Sequence, residues 1–297
     1  MKPASQRDIA FVFQMFALYP HMNVRKNISY PLKSQGMPRA AIKQKVGEIA
    51  EILGITEILD RPVGGLSGGD RQRVALGRAI VRDPKAFFMD EPLGALDAEF
   101  REHMSEELRA LHDRMNATTV YVTHDQLEAM QMGDKIVVMN HGVVEQFGVP
   151  QSIYDWPATK FVAEFIGSPP MNFLDFQGTA GKGATNVSFG NATFEIPRLL
   201  EGQSGDLTFG VRPEHIRLDD NAHFRGEISA VEYLGTTQII TLNTMAGIVK
   251  VRSSSSNKVL IGDKTGLSFD PRTVTIFNAR NGQALKSEAN NGVLLNG

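Results

Sequence analysis

The chain of 297 residues is 42% hydrophobic and 22% charged, which is enough for two globular domains with hydrophobic cores. Its formal net charge of −2 gives no electrostatic reason to expect a nucleic acid as partner. The lack of cysteine excludes disulfides, thiolate metal sites and a cysteine nucleophile, and it is typical of a reducing compartment.

Neither a signal peptide nor a membrane span is predicted. The first residues, Met-Lys-Pro-Ala-Ser-Gln-Arg-Asp, contain no apolar run, and no apolar stretch approaches the roughly 18 residues that cross a bilayer. We therefore expect a soluble intracellular protein that reaches a membrane only through a partner.

The first predicted element is a buried strand over residues 9–13, which ends at Gln14. A strand needs hydrogen-bonded neighbours, and we expect those of residues 9–13 and 85–90 to lie upstream of them. A helix is predicted between residues 38 and 53, where apolar residues recur at helical spacing: Ile42, Val46, Ile49 and Leu53. A second helix is expected over residues 71–81.

From residue 85 onward the pattern alternates between strands and helices. Strands are predicted over residues 85–90, 118–123 and 135–139, and helices over residues 99–115 and from Asp125. Such alternation favours a sheet that is covered by helices on both faces.

After Gly167-Ser168-Pro169-Pro170 the sequence changes to short β-type runs separated by turn residues. These runs cover residues 173–177, 193–196, 207–211, 226–233, 238–242, 248–251 and 273–277. They predict a small all-β, barrel-like domain. The polar tail that follows is predicted to be disordered.

The motif Leu66-Ser67-Gly68-Gly69-Asp70 stands just before a predicted helix. Glycines let the backbone approach a phosphate closely, a serine hydroxyl can donate a hydrogen bond, and the free N–H groups of a helix start attract anions. The simpler interpretation is a glycine-rich turn in which Ser67 or Asp70 caps the helix.

Two carboxylates, Asp90 and Glu91, follow the apolar run Phe87-Phe88-Met89. Ligands of open α/β sheets bind at the carboxyl ends of strands, where Asp90 could hold Mg²⁺ through water and Glu91 could polarise an attacking water. An ordinary strand end with solvated acids explains the same residues.

His124 and Gln14 each follow a predicted strand. A histidine at this place can hydrogen-bond a γ-phosphate, and a glutamine amide oxygen can bind a metal or water. Taken alone, His124 is also explained as a strand-end histidine that backbone groups hold in place. Taken alone, Gln14 is also explained as a glutamine without any role.

Together these motifs resemble an ATP-binding cassette (ABC) domain in order and spacing, including Gly94-Ala95-Leu96-Asp97. The chain is most similar to the ATPase subunits of bacterial sugar and polyol importers of the maltose and glycerol-phosphate type. That narrower resemblance rests on Tyr19-Pro20-His21-Met22, Val122-Thr123-His124-Asp125-Gln126, Ile153-Tyr154, Phe165-Ile166-Gly167-Ser168-Pro169 and Gly210-Val211-Arg212-Pro213-Glu214-His215.

The resemblance implies an α/β fold class, with an incomplete P-loop NTPase sheet and a helical subdomain, followed by a small all-β barrel-like domain of the TOBE or oligonucleotide-barrel type. We expect a truncated nucleotide-binding domain over residues 1–155, with its helical subdomain at about 26–83. A linker at 156–171, a regulatory β domain at 172–280 and a disordered tail at 281–297 complete the expected organisation.

The resemblance also implies roles for single residues, with ATP and Mg²⁺ as cofactors. Glu91 and His124 would be catalytic, and Gln14 and Asp90 would bind the metal. The nucleotide would contact Gln14, Ser67, Gly68, Gly69, Asp70, Asp90, Asp97 and His124.

The implied partners are integral-membrane permease subunits, a second ABC ATPase subunit in a homo- or heterodimer and, indirectly, a periplasmic solute-binding protein, but no nucleic acid. The implied location is the cytoplasm, peripheral on the inner face of the cell membrane. Residues 19–27 resemble the surface that docks on a permease, which argues against a cassette protein of repair or translation.

Two departures from the family pattern affect the expected activity. Asp70 stands where the signature usually ends in glutamine, and its charge is unfavourable for a nearby phosphate. No Gly-x-x-x-x-Gly-Lys-Ser/Thr sequence, the Walker A loop that holds the phosphates, occurs in the 297 residues. The leading hypothesis is a fragment of an importer ATPase that is inactive alone, and the alternative is a non-hydrolytic regulatory or heterodimer partner that donates only its signature.

A polypeptide of these 297 residues is predicted not to bind ATP by itself. Charge-assisted hydrogen bonds contribute roughly 1.5–3 kcal/mol each, so the lack of several phosphate contacts removes most of the roughly 4–8 kcal/mol of a millimolar-to-micromolar affinity. Titration calorimetry measures this directly, and binding tighter than about 100 µM would contradict the prediction.

Overall fold

The computed structural model describes residues 7–13, 16–94, 96, 98–114, 117–189 and 192–292. The chain divides into two compact units, Met1–Gly133 and Asp134–Gly297. Among the described residues, no helix combines the length and the apolar character that crossing a bilayer requires.

The first unit contains three strands and five helices within the described residues, in addition to short 3₁₀ turns at Thr56–Ile58 and Val63–Gly65. In chain order they are β1 (Ile9–Val12), α1 (Val24–Ser34), α2 (Arg39–Ile52), α3 (Gly68–Ile80), β2 (Ala86–Asp90), α4 (Ala98–Arg114), β3 (Thr118–Val122) and α5 (Gln126–Met132). The sequence predicts each of these strands to within a residue or two.

The three strands form a parallel sheet in the order β1-β2-β3. Phe11 lies opposite Phe88, and Phe88 lies opposite Val120 in the next strand. The expectation that residues 85–90 pair with strands upstream of residue 9 is therefore wrong within the described sheet. β2 is the central strand, because its two ladders are taken by β1 and β3.

In the part of the chain that the structure describes, helices cover one face of this sheet and leave the other exposed. The core joins Val12 and Phe87 to apolar residues of α1, α2, α3 and α4, all of which pack on the same side. On the opposite face Phe11, Val120 and Val122 are 46%, 44% and 52% exposed. The expectation of a sheet covered on both faces is wrong for the described residues, because side chains alternate along a strand and only one alternating set meets the helices.

The exposed sheet face is predicted to make the 297-residue chain self-associate, since contiguous apolar patches on a sheet promote association. Threonine keeps β-propensity while adding a hydroxyl, so the double change Phe11→Thr with Val122→Thr should reduce association without preventing folding. Concentration-dependent light scattering measures the effect. The control Ile248→Thr removes an exposed apolar residue in the other unit, and equal association in both variants would contradict the prediction.

The second unit consists mainly of antiparallel β-structure. Its elements are β4 (Ile136–Asn140), β5 (Val143–Gly148), α6 (Pro150–Asp155), α7 (Lys160–Phe165), β6 (Asn172–Ala180), β7 (Asn186–Phe189), β8 (Ala192–Glu195), β9 (Gln203–Val211), β10 (Ile216–Leu218), β11 (Arg225–Tyr233), β12 (Thr237–Thr244), β13 (Gly247–Ser254), β14 (Lys264–Phe269) and β15 (Thr275–Asn278). Every predicted β-type run overlaps a strand, as the all-β expectation requires.

These strands form two larger sheets and two hairpins. One sheet has the order β10-β14-β11-β12-β13 and the other the order β15-β9-β6, while β4-β5 and β7-β8 pair as hairpins. The core contains a cluster of aromatic rings with edge-on and tilted contacts between centroids 5.4–5.8 Å apart: Phe194, Phe209, Phe224 and Phe269.

The end of the chain differs from the predicted disordered tail. The described residues 281–292 are ordered, and Leu285 is 6% exposed while its N–H donates to the Ile276 carbonyl at 2.7 Å. Asn290 is buried and donates to the Leu285 carbonyl at 3.0 Å. Polar composition indicated disorder, but hydrogen bonds to backbone carbonyls satisfy the Leu285 N–H and the Asn290 side chain.

The expected domain boundary at residue 155 stays a prediction. Helix α7 lies inside the expected linker at 156–171.

Arg212 is a fully buried cation that joins the end of β9 to α6 and α7. Its guanidinium donates to the carbonyls of Tyr154 at 2.8 Å and Ala163 at 3.1 Å, and also to that of Ile166. It stacks 4.1 Å from the centroid of the Tyr154 ring, whose hydroxyl donates to Glu214. Burial lowers the pKa of Arg212, and the carbonyl acceptors compensate for the lost hydration of its charge.

Arg212→Met is predicted to lower the free energy of unfolding by about 3 kcal/mol, because it leaves buried carbonyls without donors. Urea unfolding followed by the fluorescence of Trp156, the single tryptophan, measures this loss. Arg217→Met, at an exposed position of β10, is the matched control. Equal unfolding midpoints for the two variants would disprove the role given to Arg212.

Candidate functional site

Glu91 lies at the first turn after β2. Its N–H donates to the Val122 carbonyl at 2.9 Å, which extends the β2–β3 pairing by one bond. Its backbone is left-handed, with φ of 45°, and its carbonyl accepts from the Gly94 N–H at 3.2 Å. A non-glycine residue in this region costs of order 1 kcal/mol, and such strain is commonly found at functional positions.

His124 follows β3 and meets Glu91. Its Nδ1 lies 2.9 Å from Glu91 Oε1, although 33 positions separate the two residues in the sequence. An ionised carboxylate only accepts, so Nδ1 carries the proton and Nε2 is left for another partner. The His124 side chain is 76% exposed, and Nε2 is therefore within reach of a ligand from solvent.

This pair lines a small, open polar cavity. Its walls combine acidic, basic and hydroxyl side chains with one glycine: Glu91, Gly94, Arg101, Thr123, His124, Asp125 and Glu128. Sequence reasoning did not assign roles to Arg101, Thr123, Asp125 or Glu128. The spacing of Asp125 and Glu128 is that of a capping box and could have indicated Glu128, whereas no local pattern indicates Arg101.

Asp90 ends β2 next to Glu91. It is half-buried and lies opposite Val122 in the parallel ladder. Within the described residues, no three His, Cys, Asp or Glu side chains converge to hold a metal ion. Among the residues that the structure describes, Asp90 therefore stands beside Glu91 at a strand end and belongs to no three-ligand cluster.

Ser67 is the N-cap of α3, as the simpler interpretation of the motif expects. Its Oγ accepts from the Asp70 N–H at 3.1 Å, and the residue is exposed. The Ser67 hydroxyl proton stays available for a second partner. Gly69 packs so closely that a Cβ would lie 3.1 Å from Leu96 Cδ2, so a larger residue there would displace Leu96.

Asp70 forms an ion pair with Arg73 one turn later in α3. Arg73 also donates to the carbonyls of Gly54 at 3.2 Å and Leu53 at 3.4 Å. The unusual carboxylate of the signature is therefore neutralised within its own helix. This pairing weakens the repulsion that an isolated carboxylate would exert on a phosphate.

The predicted site residues thus fall into three groups. Glu91 and His124 are brought together, with Asp90 adjacent at the strand end. Residues 67–70 lie at the start of α3 and do not line the cavity of Glu91 and His124. Gln14 and Asp97 lie outside the described residues.

Three family models match different parts of the chain. Residues 1–94 match the ABC transporter family, residues 167–216 the MalK OB fold domain, and residues 209–277 the TOBE domain.

Several proteins are similar to this chain over most of its length. The chain is 46% identical to the trehalose/maltose import ATP-binding protein MalK of Thermococcus litoralis, over 95% of this chain and 79% of that protein. It is 46% identical to the sn-glycerol-3-phosphate import ATP-binding protein UgpC of Ruegeria sp., over 92% and 79%. It is 43% identical to the trehalose import ATP-binding protein SugC of Mycobacterium tuberculosis, over 96% and 81%. The chain therefore belongs to the ABC transporter family, among the ATPase subunits of importers.

Proposed function

We propose that this ATPase uses Glu91 to polarise the attacking water and His124 to orient Glu91 and the γ-phosphate. The observation that carries the proposal is the 2.9 Å contact between His124 Nδ1 and Glu91 Oε1 at the ends of two adjacent strands. Phosphoryl transfer needs little covalent chemistry from a protein, so the rate depends on positioning and electrostatics. A carboxylate held by a histidine supplies both.

The different roles proposed for Glu91 and His124 follow from the hydrogen-bonding atoms of their side chains. The Glu91 carboxylate can accept a proton from water, while the N–H of His124 keeps the carboxylate in place. The His124 side chain is 76% exposed, so its Nε2 can contact a phosphate oxygen. Neither residue needs to move between distant positions, because the strand ends already hold them together.

Asp90 fits the way in which proteins hold Mg²⁺. This ion keeps several waters and is bound by one or two carboxylates together with substrate phosphates, so no closed cage is needed. We assign Asp90 and Gln14 to the metal; ATP supplies the remaining oxygen ligands and the bond that is cleaved. Asp97 is assigned to the nucleotide.

The start of α3 forms a second part of the nucleotide site. Ser67, Gly68 and Gly69 present an exposed hydroxyl and helix-start N–H groups, which suit phosphate oxygens. We infer that they contact the nucleotide held by a second ABC ATPase subunit. Asp70 contributes to this surface through its ion pair with Arg73.

The transported solute is a sugar or a glycerol phosphate in this proposal. Its support is that the similar proteins are named for trehalose, maltose and sn-glycerol-3-phosphate import. The partners are then permease subunits in the membrane and, indirectly, a periplasmic solute-binding protein. The chain works on the cytoplasmic face of the membrane, bound to its permease.

A chain that carries the N-terminal segment of a related importer ATPase, including its Walker A loop, is predicted to hydrolyse ATP in a manner that depends on Glu91. Glu91→Gln keeps the size of the side chain but removes the base, so turnover should fall on the order of 10²-fold while ATP binding remains. Phosphate release and equilibrium binding of ATP measure the two effects.

The matched control for this experiment is Glu106→Gln, the same change at an exposed position of α4. It should leave turnover unchanged. Equal hydrolysis with Gln at position 91 would remove Glu91 from the mechanism and make His124 the next candidate.

A further inference from the structure

A cluster of polar side chains, here called the Glu128 cluster, lies next to Glu91 and His124, and most of its members line the same cavity. It consists of Arg101, Tyr121, Thr123, Asp125 and Glu128. Glu128 is 5% exposed, and its Oε2 accepts from Thr123 Oγ1 at 2.8 Å and from the Tyr121 hydroxyl at 3.1 Å. A buried carboxylate is tolerated only with such partners, so the donors and Glu128 hold one another in place.

The cluster fixes the backbone on both sides of His124. Thr123 Oγ1 donates to Glu128 and also accepts from the Asp125 N–H at 3.0 Å. Asp125 caps α5 by accepting from the N–H groups of Leu127 at 2.8 Å and Glu128 at 3.3 Å. The His124 ring itself is mostly exposed, so its contact with Glu91 depends on how firmly these two neighbours are held.

Arg101 connects this loop to α4. It lies 3.5 Å from Asp125 and 3.7 Å from Glu128, so that one cation faces two carboxylates. It also donates to the Leu96 carbonyl at 3.1 Å, and Leu96 packs against Gly69 at the start of α3. One side chain thus joins the loop of His124 to the segment that touches the signature.

The Tyr121 hydroxyl remains a donor in this setting. Burial, followed by the nearby Glu128 carboxylate, raises the pKa of Tyr121 well above its usual value. The Tyr121 hydroxyl therefore stays protonated at neutral pH and keeps donating its hydrogen bond to Glu128.

We propose that Glu128 and Arg101 are positioning residues that hold His124 against Glu91 by fixing residues 123–125. Neither residue touches the reacting atoms in this proposal, and both act through the loop of His124. The proposal rests on the function proposed above, which gives the Glu91–His124 contact its catalytic role. The geometry of the contact can nevertheless be tested without nucleotide.

The test uses Glu128→Gln and Arg101→Met in the 297-residue chain, without ATP. Amide hydrogen exchange over residues 122–126 should become about tenfold faster in each variant, because the loop loses its buried anchor. The ring ¹⁵N signals of His124, identified by their loss in His124→Gln, should change from one fixed tautomer toward a mixture. Arg101→Lys keeps the charge and should restore part of both effects.

Glu106→Gln is the control for charge removal at an exposed position, and it should alter neither measurement. If Glu128→Gln unfolds the chain, the same two measurements are made on Tyr121→Phe, which deletes a single hydroxyl and keeps the ring. Unchanged exchange in the folded variants would overturn the proposal. Faster exchange with unchanged His124 ring signals would also overturn it, because the cluster would then be structural only.

These outcomes are independent of the catalytic assignment. If Glu91→Gln leaves hydrolysis unchanged, the proposed role of Glu91 fails, whatever the exchange data show. If the Glu128 and Arg101 variants leave the loop unchanged, the positioning role fails, even when Glu91 is essential.

Discussion

The parallel pairing of β2 with β3 is the interaction on which the candidate site depends. Asp90 lies opposite Val122, and the Glu91 N–H adds one more bond to the Val122 carbonyl. Adjacent parallel strands end at the same edge of a sheet, so Glu91 and His124 meet there despite their separation in sequence. A register slip of one residue would turn every side chain to the other face and separate the pair. Strand register and site geometry are therefore a single constraint.

The site combines a buried, hydrogen-bonded cluster around Glu128 with the exposed side chain of His124. Glu128 is buried and fully engaged, whereas the side chain of His124 is 76% exposed. This contrast agrees with the proposed role of His124, in which an exposed ring contacts a nucleotide that arrives from solvent. The ordering free energy is supplied in advance by hydrogen bonds around Thr123 and Asp125, which reduces the entropy lost on binding.

The signature at the start of α3 is physically linked to the strand-end site through Leu96. Gly69 packs against the Leu96 side chain, and Arg101 binds the Leu96 carbonyl. These two contacts place Leu96 between the start of α3 and the side chain that faces Asp125 and Glu128. The ion pair of Asp70 with Arg73 leaves this helix start without an unpaired negative charge.

The sequence by itself determined the family, the strand that delivers Asp90 and Glu91, the helix start at Ser67 and the change to β-structure near residue 170. These features are local, since apolar runs, helix caps and turn residues act over a few positions. Only the tertiary structure decided which sheet face is covered, the anchoring of Leu285, and the joining of Arg101 to Glu128. Those outcomes depend on contacts between distant residues, whose burial and hydrogen bonds are set by strand register and helix packing, and no local periodicity encodes them.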